Sequence, residues 1–513
     1  MRKRQLLQIQ DLIGTMHEMH EEIKMCIEKI NYRDAIEMLT HCQEAAISIG
    51  TCIENSNEGV PHIITHLENY CESLYQSSVS LNIDSCVSDI YELLEEQLVS
   101  IESEIKQDIT AKYEIAFLPY KGSMWDALES IWLTAKEDKN CECYVIPIPY
   151  YEKKSNGTLG KQCYEGADFP SYVPIVNFCD YNIEQRQPDI IYIHNPYDNY
   201  NTLTTVLPEY YSDRLRMNTS CLVYSPYFVL GTYQPNVSDM HYLTSASIYS
   251  NLIITQSEIT KHLYMKNGVN EEKVLVTGLP KIDYVVNMMK KEIEMPKEWE
   301  GKVHTSRKVL LFNMHLSYYL KAYTKVKEGA ESNYAINRLK EMLPQILNND
   351  KYSLIWRPHP LMKQMIISRL GEYPRELEEI EEAIKNANNA VIDMNADYRY
   401  SFCFADALIS TFSSIVTLFS VLGKPIYIYQ SRLDRDITKD SPVDYDVFYF
   451  RHGKNRTEFG TFLNYLDDGE DPLYEDRMKM LSKSFANMDG TAGKVIHDTV
   501  ISYCDNKLRG ERS

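Results

Sequence analysis

The sequence contains no run of about 18 consecutive apolar residues, the length a helix needs to cross a bilayer, so no transmembrane helix is expected. Positive charge is scarce: 53 Lys and Arg face 73 Asp and Glu, a formal net charge of -20. That argues against general nucleic-acid binding, which needs a basic stripe to neutralise phosphates. A small anionic substrate remains compatible, because a site needs only local positive charge. No CxxC occurs among the 12 cysteines. Cys141 and Cys143 are the closest pair, and strand alternation would point them the same way. Free thiols in a reducing compartment are expected, with no zinc module and no disulfide scaffold. The basic start MRKRQLLQIQ is soon interrupted by polar residues and lacks the apolar core of a signal peptide. A cytoplasmic location follows, in which sequons such as Asn156-Gly157-Thr158 carry no meaning.

What is present is a soluble, globular composition, 44% hydrophobic and 25% charged. A chain of 513 residues is too long for one core and implies two or three domains. Residues 1–110 carry apolar residues three and four apart, as in YRDAIEMLTHCQEAAISIGTCIE and HIITHLENYCESLYQSSVSL, and predict an antiparallel helical module. Its role is structural, or it packs against a partner. At Tyr113 the period changes. YEIAFLPY, CYVIPIPYY, DIIYIHNPYD, SCLVYSPYF, NLIITQSE and KVLVTGLPK read as short apolar strands separated by helical or irregular segments. KGSMWDALESIWLTAKED reads as a loop and an amphipathic helix with Ser123 as N-cap. The charged stretch from Lys281 to Arg307 reads as a linker.

A second series follows: RKVLLFNMH, YSLIWRPHP, AVIDM, ADALIST and KPIYIYQ as strands, with helices between them. Gly423 ends the helix SSIVTLFSVLG, and the tail is mostly helical. The predicted fold is α/β, with two tandem Rossmann-like, doubly wound parallel-sheet domains after an all-helical module. The boundaries are 1–110, 111–290, 291–480 and a helical tail at 481–513. Such sheets bind ligands at the carboxyl ends of their strands. Two of them facing each other make the GT-B architecture of nucleotide-dependent transferases, although a fold alone does not fix a reaction.

Two corners of the second series carry chemistry. In Trp356-Arg357-Pro358-His359-Pro360 each proline fixes its own φ and keeps the preceding residue extended. A guanidinium and an imidazole are therefore held stiffly at a strand end, and Arg357 can grip phosphate oxygens in a fork. In the block Asp406 to Tyr429, Thr411, Ser413 and Ser414 stand at a strand-to-helix turn, where free N–H groups and hydroxyls suit a pyrophosphate. Lys424-Pro425 leads into the next strand and is a further candidate. In the first series Lys121, Gly122 and Ser123 form a strand-to-helix loop, with Gly122 permitting close approach and Lys121 available to an acceptor phosphate. Trp125 and Trp132 lie seven apart and read as core. The 39 tyrosines include pairs such as Tyr150-Tyr151 and Tyr210-Tyr211, which suit a polyol surface.

WRPHP, followed some fifty residues on by DALISTFSSIVTLFSVLGKPIYIY, resembles the CDP-glycerol glycerophosphotransferases of teichoic acid synthesis. VLVTGLPKIDYV is similar to that family's G-x-P-R-x-D segment between its two sheets. The resemblance covers about residues 250 to 430. It implies a metal-independent transferase needing no cofactor, which moves glycerol phosphate, or a related alditol phosphate, from a CDP-linked donor. The acceptor would be a hydroxyl of a polymer or lipid-linked molecule at the inner membrane face, with peripheral attachment there. His359 would assist departure of CMP, while Arg357, Thr411, Ser413, Ser414 and Lys424 would hold donor phosphates. Charge would be met by fixed donors.

Three departures stand out. The family's W-H-G-T-P-x-K segment, whose histidine is its candidate base, corresponds to CLVYSPYFVLG, which has none. Thr411-Phe412 replaces Asp-Tyr. A P-T-W-R strand end is replaced by LFNMHLSYYLK, with Asn313 and His315. His194 and His315 both follow strands and are the substitute bases. Two other readings stay open: a sugar-nucleotide glycosyltransferase or epimerase of the same fold, and a nucleotide-binding subunit that has lost turnover. The acceptor and oligomeric state are not written in the sequence.

Overall fold

In the computed structural model the described residues are 1–56, 59–81, 86–154, 156–201, 203–233, 238–315, 318, 320, 334–359, 362–395, 397–429, 440–450 and 455–510. The chain divides into two compact units, residues 1–116, 135–144 and 187–190 in one and 117–134, 145–186 and 191–513 in the other.

The first unit is built on four helices, α1 (Lys3–Glu28), α2 (Tyr32–Asn55), α3 (Pro61–Ser80) and α4 (Val87–Asp108). Each buries one stripe at helical spacing; on α1 this is Ile9, Ile13, Met16, His20, Ile23 and Ile27. Pro61 opens α3 at the first helical position, where a missing N–H costs nothing. The stripes close one core around Met16, Leu39, Ile63, Leu67, Tyr70 and Leu98, as the helical expectation required.

Strands follow as β1 (Tyr113–Leu118), β2 (Cys141–Val145), β3 (Tyr150–Lys153), β4 (Leu159–Cys163), β5 (Ile190–Ile193), β6 (Thr204–Val206), β7 (Cys221–Tyr224), β8 (Leu252–Thr255) and β9 (Val274–Val276). Six of them form a sheet in the order β2-β1-β5-β7-β8-β9. The segment CYVIPIPYY, read as one strand, is two. Pro147 and Pro149 cannot donate to a ladder, so β2 ends before them and β3 pairs antiparallel with β4 and β6 in a small side sheet. Gly122–Ala127 is a 3₁₀ turn and the helix starts later, at Glu129, so Ser123 is not its cap.

The second sheet is parallel throughout: β10 (Lys308–Phe312), β11 (Tyr352–Trp356), β12 (Ala390–Ile392), β13 (Ala407–Ser410), β14 (Ile426–Ile428) and β15 (Tyr449–Phe450). Its order, β12-β11-β10-β13-β14-β15, is the 3-2-1-4-5-6 winding of dinucleotide-binding sheets. Leu310, Phe312, Leu354, Trp356, Ile409 and Tyr427 fill its core. Gly423 has φ 68°, the left-handed geometry expected after a helix end.

Residues 281–307 are not simply a linker, because Pro280–Met289 is a helix. Its Asp283 is buried and accepts the backbone N–H groups of Ala492 and Gly493 at 3.1 and 2.7 Å. These open the final helix, Ala492–Gly510, so the tail returns to the first sheet's side of the second unit, where Lys507 also reaches the Ser220 carbonyl at 3.3 Å. Among the described residues no helix is long and apolar enough to cross a membrane.

Candidate functional site

The reversal of strand order in the second sheet falls between β10 and β13, and the crevice outside such a reversal is where ligands bind. The predicted residues gather around it. His315 follows β10 and its backbone N–H donates to the Thr411 hydroxyl, just past β13, at 2.9 Å. Asn313 at the end of β10 donates to the Arg357 carbonyl, past β11, at 2.7 Å. Three strand-end loops are thereby stitched together, with β10 in the middle. The loops bearing His359 and Ser413 start from strands separated by β10, hence about 10 Å apart. His359 is exposed. Loss of solvent to neighbouring protein lowers its pKa from the ordinary histidine value.

Ser413 is extended, at φ -161° and ψ 165°, and precedes the helix Ser414–Ser420. Its Oγ is buried and has no hydrogen-bond partner among the described residues. An orphaned hydroxyl at a helix start is ready to donate to an anion. Ser414 beside it is exposed, and Thr411 is fully buried. Phe412 packs on Tyr445 at 4.8 Å between ring centroids.

Two expected phosphate ligands are engaged elsewhere. The Arg357 guanidinium donates to Asp393 at 2.6 Å and to the Asn395 carbonyl at 2.7 Å, and the residue is 9% exposed. It pins the β11 loop to the β12 loop. The Lys424 ammonium donates to the carbonyls of Phe402, Cys403 and Ala405 at 3.1, 3.3 and 2.6 Å. It caps the helix Arg399–Phe404, and burial lowers its pKa. The sequence shows a lysine near the corner; only the fold shows three carbonyls waiting for it.

In the first sheet the order reverses between β1 and β5, and Tyr120 and His194, which follow those strands, are both buried. His194, past β5, is fully buried; its Nε2 accepts the Tyr120 N–H at 3.0 Å and its ring lies 5.3 Å from that of Tyr120. Burial, aided by the Lys281 cation, pushes its pKa down to about 3. The ring is neutral, and no acceptor hydroxyl reaches it in this conformation. Lys121 lies over the rings of Tyr150 and Tyr120, at 5.0 and 5.6 Å. Gly122 donates its N–H to Glu165 at 2.9 Å, and a Cβ on it would stand 3.2 Å from Asp168. Its smallness therefore serves that packing. Ser123 is exposed. Trp125 and Trp132 are core, as expected.

The segment Gly278-Leu279-Pro280-Lys281-Ile282-Asp283 is a keystone. Gly278 has φ 78°, and a Cβ there would sit 2.4 Å from the Ala486 carbonyl oxygen, so only glycine fits. Lys281 bonds Asp126 of the first sheet's turn at 2.5 Å, and Tyr398 of the second sheet donates to the same carboxylate at 2.9 Å. Asp126 is 4% exposed. One buried carboxylate therefore ties together loops from both sheets.

A cavity of about 470 Å³ opens beside the proline-stiffened turn. Trp299, Trp356, Pro358, His359, Lys363 and Met394 contribute to its wall. Sequence reasoning found His359 but not the cavity. Trp299 comes from the region read as a linker, and nothing local marks it.

The profile of the family described as CDP-Glycerol:Poly(glycerophosphate) glycerophosphotransferase matches residues 231–502. A teichoic acid poly(ribitol-phosphate) polymerase of Bacillus spizizenii is 22% identical over 271 residues, 49% of this chain and 37% of that protein. The chain therefore matches little more than a third of that relative's length. Among solved structures, the wall teichoic acid polymerase TagF soaked with CDPG aligns with a TM-score of 0.48 at 14% identity, covering 81% of this chain and 94% of that one. A UDP-GlcNAc 2-epimerase from Neisseria meningitidis bound to UDP-GlcNAc aligns at 0.45 and 12% identity, covering 76% and 100%. With more than half its length matched by the profile, and with the crevice built from the very segments that profile spans, the chain belongs to the CDP-glycerol:poly(glycerophosphate) glycerophosphotransferase family.

Proposed function

We propose that the chain transfers glycerol phosphate, or a related alditol phosphate such as ribitol phosphate, from a CDP-linked donor to a hydroxyl of a polymer or lipid-linked acceptor. The observation that carries this reading is the second-sheet crevice. There an exposed imidazole and an orphaned serine hydroxyl stand on stitched loops at one strand-order reversal. Family membership supplies the reaction class.

In this reading the acceptor oxygen attacks the phosphorus that carries the alditol. The new P–O bond forms as the bond to the bridging oxygen breaks, and that electron pair leaves with CMP. Ser413 and Ser414 line the donor phosphates, with Ser413 Oγ and the free N–H groups of its helix donating to their oxygens, while Thr411, buried and bonded to the His315 N–H, holds the corner. His359 is poised for the leaving group. Its lowered pKa keeps it mostly neutral when the crevice is empty, and a bound diphosphate raises it, since a nearby anion favours the imidazolium. His315, exposed at the end of β10, is assigned the acceptor's proton, because His194 is sealed. Lys121 and its tyrosines are assigned to the acceptor. Arg357 and Lys424 act by holding loops. The acceptor is placed at the inner membrane face, where lipid-linked polymers of this kind would be built.

Release of CMP from CDP-glycerol and CDP-ribitol, with a polyol phosphate acceptor, tests the proposal. His359→Ala is expected to lower turnover by about 10²–10⁴-fold, the range for loss of a proton-transferring group. Unchanged turnover in that variant overturns it. The sealed His194 favours a second reading, a donor-binding subunit without turnover. In that case CDP-glycerol far above its Kd stabilises the chain by about 2–4 kcal/mol, yet no CMP appears.

A further inference from the structure

The helical module holds a cluster of ligand-type side chains that includes none of the candidate site residues. His17 and His20 lie three apart on α1, on adjoining turns of one face, and Glu95 lies opposite on α4. The His17 Nδ1 stands 2.5 Å from one oxygen of Glu95, and the His20 Nδ1 stands 2.7 Å from the other. All three ligand-type atoms lie within 4.8 Å of one another. The His20 side chain is fully buried, while those of His17 and Glu95 are 25% and 27% exposed. Behind His20, its Nε2 meets the Tyr70 hydroxyl at 2.6 Å. A histidine that presents one nitrogen to a converging site while an oxygen partner fixes the other is the arrangement of a metal ligand with its supporting shell.

We propose that His17, His20 and Glu95 bind a first-row divalent transition metal, zinc foremost, which ties α1 to α4. Two imidazoles and one carboxylate suit zinc, leaving a fourth position for water, and solvent reaches the cluster through His17 and Glu95. In tetrahedral zinc the ligand atoms stand about 3.4 Å apart. The ligand atoms lie within 4.8 Å of one another, so binding needs shifts of up to about 1.4 Å to reach that spacing, which the part-exposed side chains of His17 and Glu95 allow. The protons balance without an outside reactant. In the metal-free form each Nδ1 carries the proton shared with Glu95. On metal binding the Nδ1 lone pairs go to the ion and the protons pass to Nε2. That of His20 is then donated to Tyr70, whose own hydrogen has the Cys42 sulfur beside it. Glu21, which is close enough to bias His20, adds negative charge and favours a cation. The site serves the module's cohesion, independently of the transfer chemistry.

The test is titration of the full chain, stripped by a chelator, with Co²⁺ as a coloured probe, followed by displacement with Zn²⁺. One equivalent is expected, with visible absorption of low-symmetry nitrogen–oxygen coordination. His17→Gln and Glu95→Gln change part-exposed side chains and should keep the helical circular dichroism, yet each should weaken binding at least tenfold. Tyr70→Phe should weaken it by about tenfold through loss of the supporting hydrogen bond. Zn²⁺ should raise the unfolding midpoint of the parent chain but not that of Glu95→Gln. Absence of saturable binding, or the same affinity in the parent and in both Gln variants, overturns the proposal.

Discussion

The buried carboxylate of Asp126 offers the sharpest test of how the second unit holds its two sheets. Lys281→Met keeps the length and apolar stem of the side chain and deletes only the ammonium. The pair it breaks is 2.5 Å long, with side chains 16% and 4% exposed. Removing one partner of a buried pair costs about 3–5 kcal/mol, because the remaining charge stays desolvated. Here the Tyr398 hydroxyl remains on Asp126, and the other carboxylate oxygen has no partner among the described residues. A cost near the lower bound, about 3 kcal/mol, is therefore expected. The double variant Lys281→Met, Asp126→Asn removes both charges and should cost less than the sum of its parts by at least about 2 kcal/mol. Urea unfolding followed by tryptophan fluorescence is a suitable assay, since Trp125 adjoins Asp126 in the turn and Trp356 reports the second sheet. A loss below about 1 kcal/mol for Lys281→Met, or strict additivity in the double variant, would refute the keystone argument.

Two further outcomes follow from the same geometry. Lys424→Met should destabilise by at least about 2 kcal/mol, since charge-assisted bonds to three part-buried carbonyls are lost. It should leave the KM for the CDP-linked donor within about twofold, whereas a phosphate ligand would show the reverse pattern. Glu129 is buried beside the Tyr172 hydroxyl, and burial raises its pKa from 4.5 to about 7. A carboxyl whose pKa is raised by folding binds its proton more tightly in the folded state, so its contribution is complete below pH 4.5 and is lost as pH rises through 7. Stability measured by chemical unfolding should therefore fall between pH 5 and 8 by up to about 3 kcal/mol, and Glu129→Gln should flatten that slope.

The strands of the second sheet were legible because they are buried on both faces and read as short apolar runs; YSLIW and ALIS are fully buried. The same logic found the four helices, whose stripes are regular. It failed at CYVIPIPYY, where two prolines outweigh the apolar run and an antiparallel side sheet takes over. It failed again at Lys281 to Arg307, where the helix Pro280–Met289 owes its place to Asp283 and the distant residues Ala492 and Gly493, a contact spanning about 210 positions. At the candidate site, the spacing of prolines and hydroxyls singled out loops that the structure brings together at the second-sheet reversal. It could not separate donors that are offered from donors already spent. Arg357 and Lys424 have the right chemistry for phosphate and are committed to Asp393 and to backbone carbonyls. Ser413 looks like an ordinary cap in the sequence and is the one whose hydroxyl caps nothing.

These commitments locate where charge is available. The loops of the second-sheet crevice are held by Arg357 and Lys424, both already committed to protein acceptors, and under the proposed function its hydroxyls, N–H groups and His359 are left to meet the ligand. A diphosphate therefore meets mainly dipoles and one titratable ring, in a protein whose net charge is -20. Such donors do not attract anions from a distance as a lysine cluster does; they reward an anion already seated with its oxygens in place. The first-sheet crevice is different. Tyr120 and His194 are buried together there, and the His194 Nδ1, without a partner among the described residues, is the cost of that burial. An acceptor that is to reach this half must displace the Tyr120–His194 contact or enter beside it, over Lys121 and Tyr150. Under the proposed function, the donor half is thus built in advance of its ligand, and the acceptor half is the part expected to move.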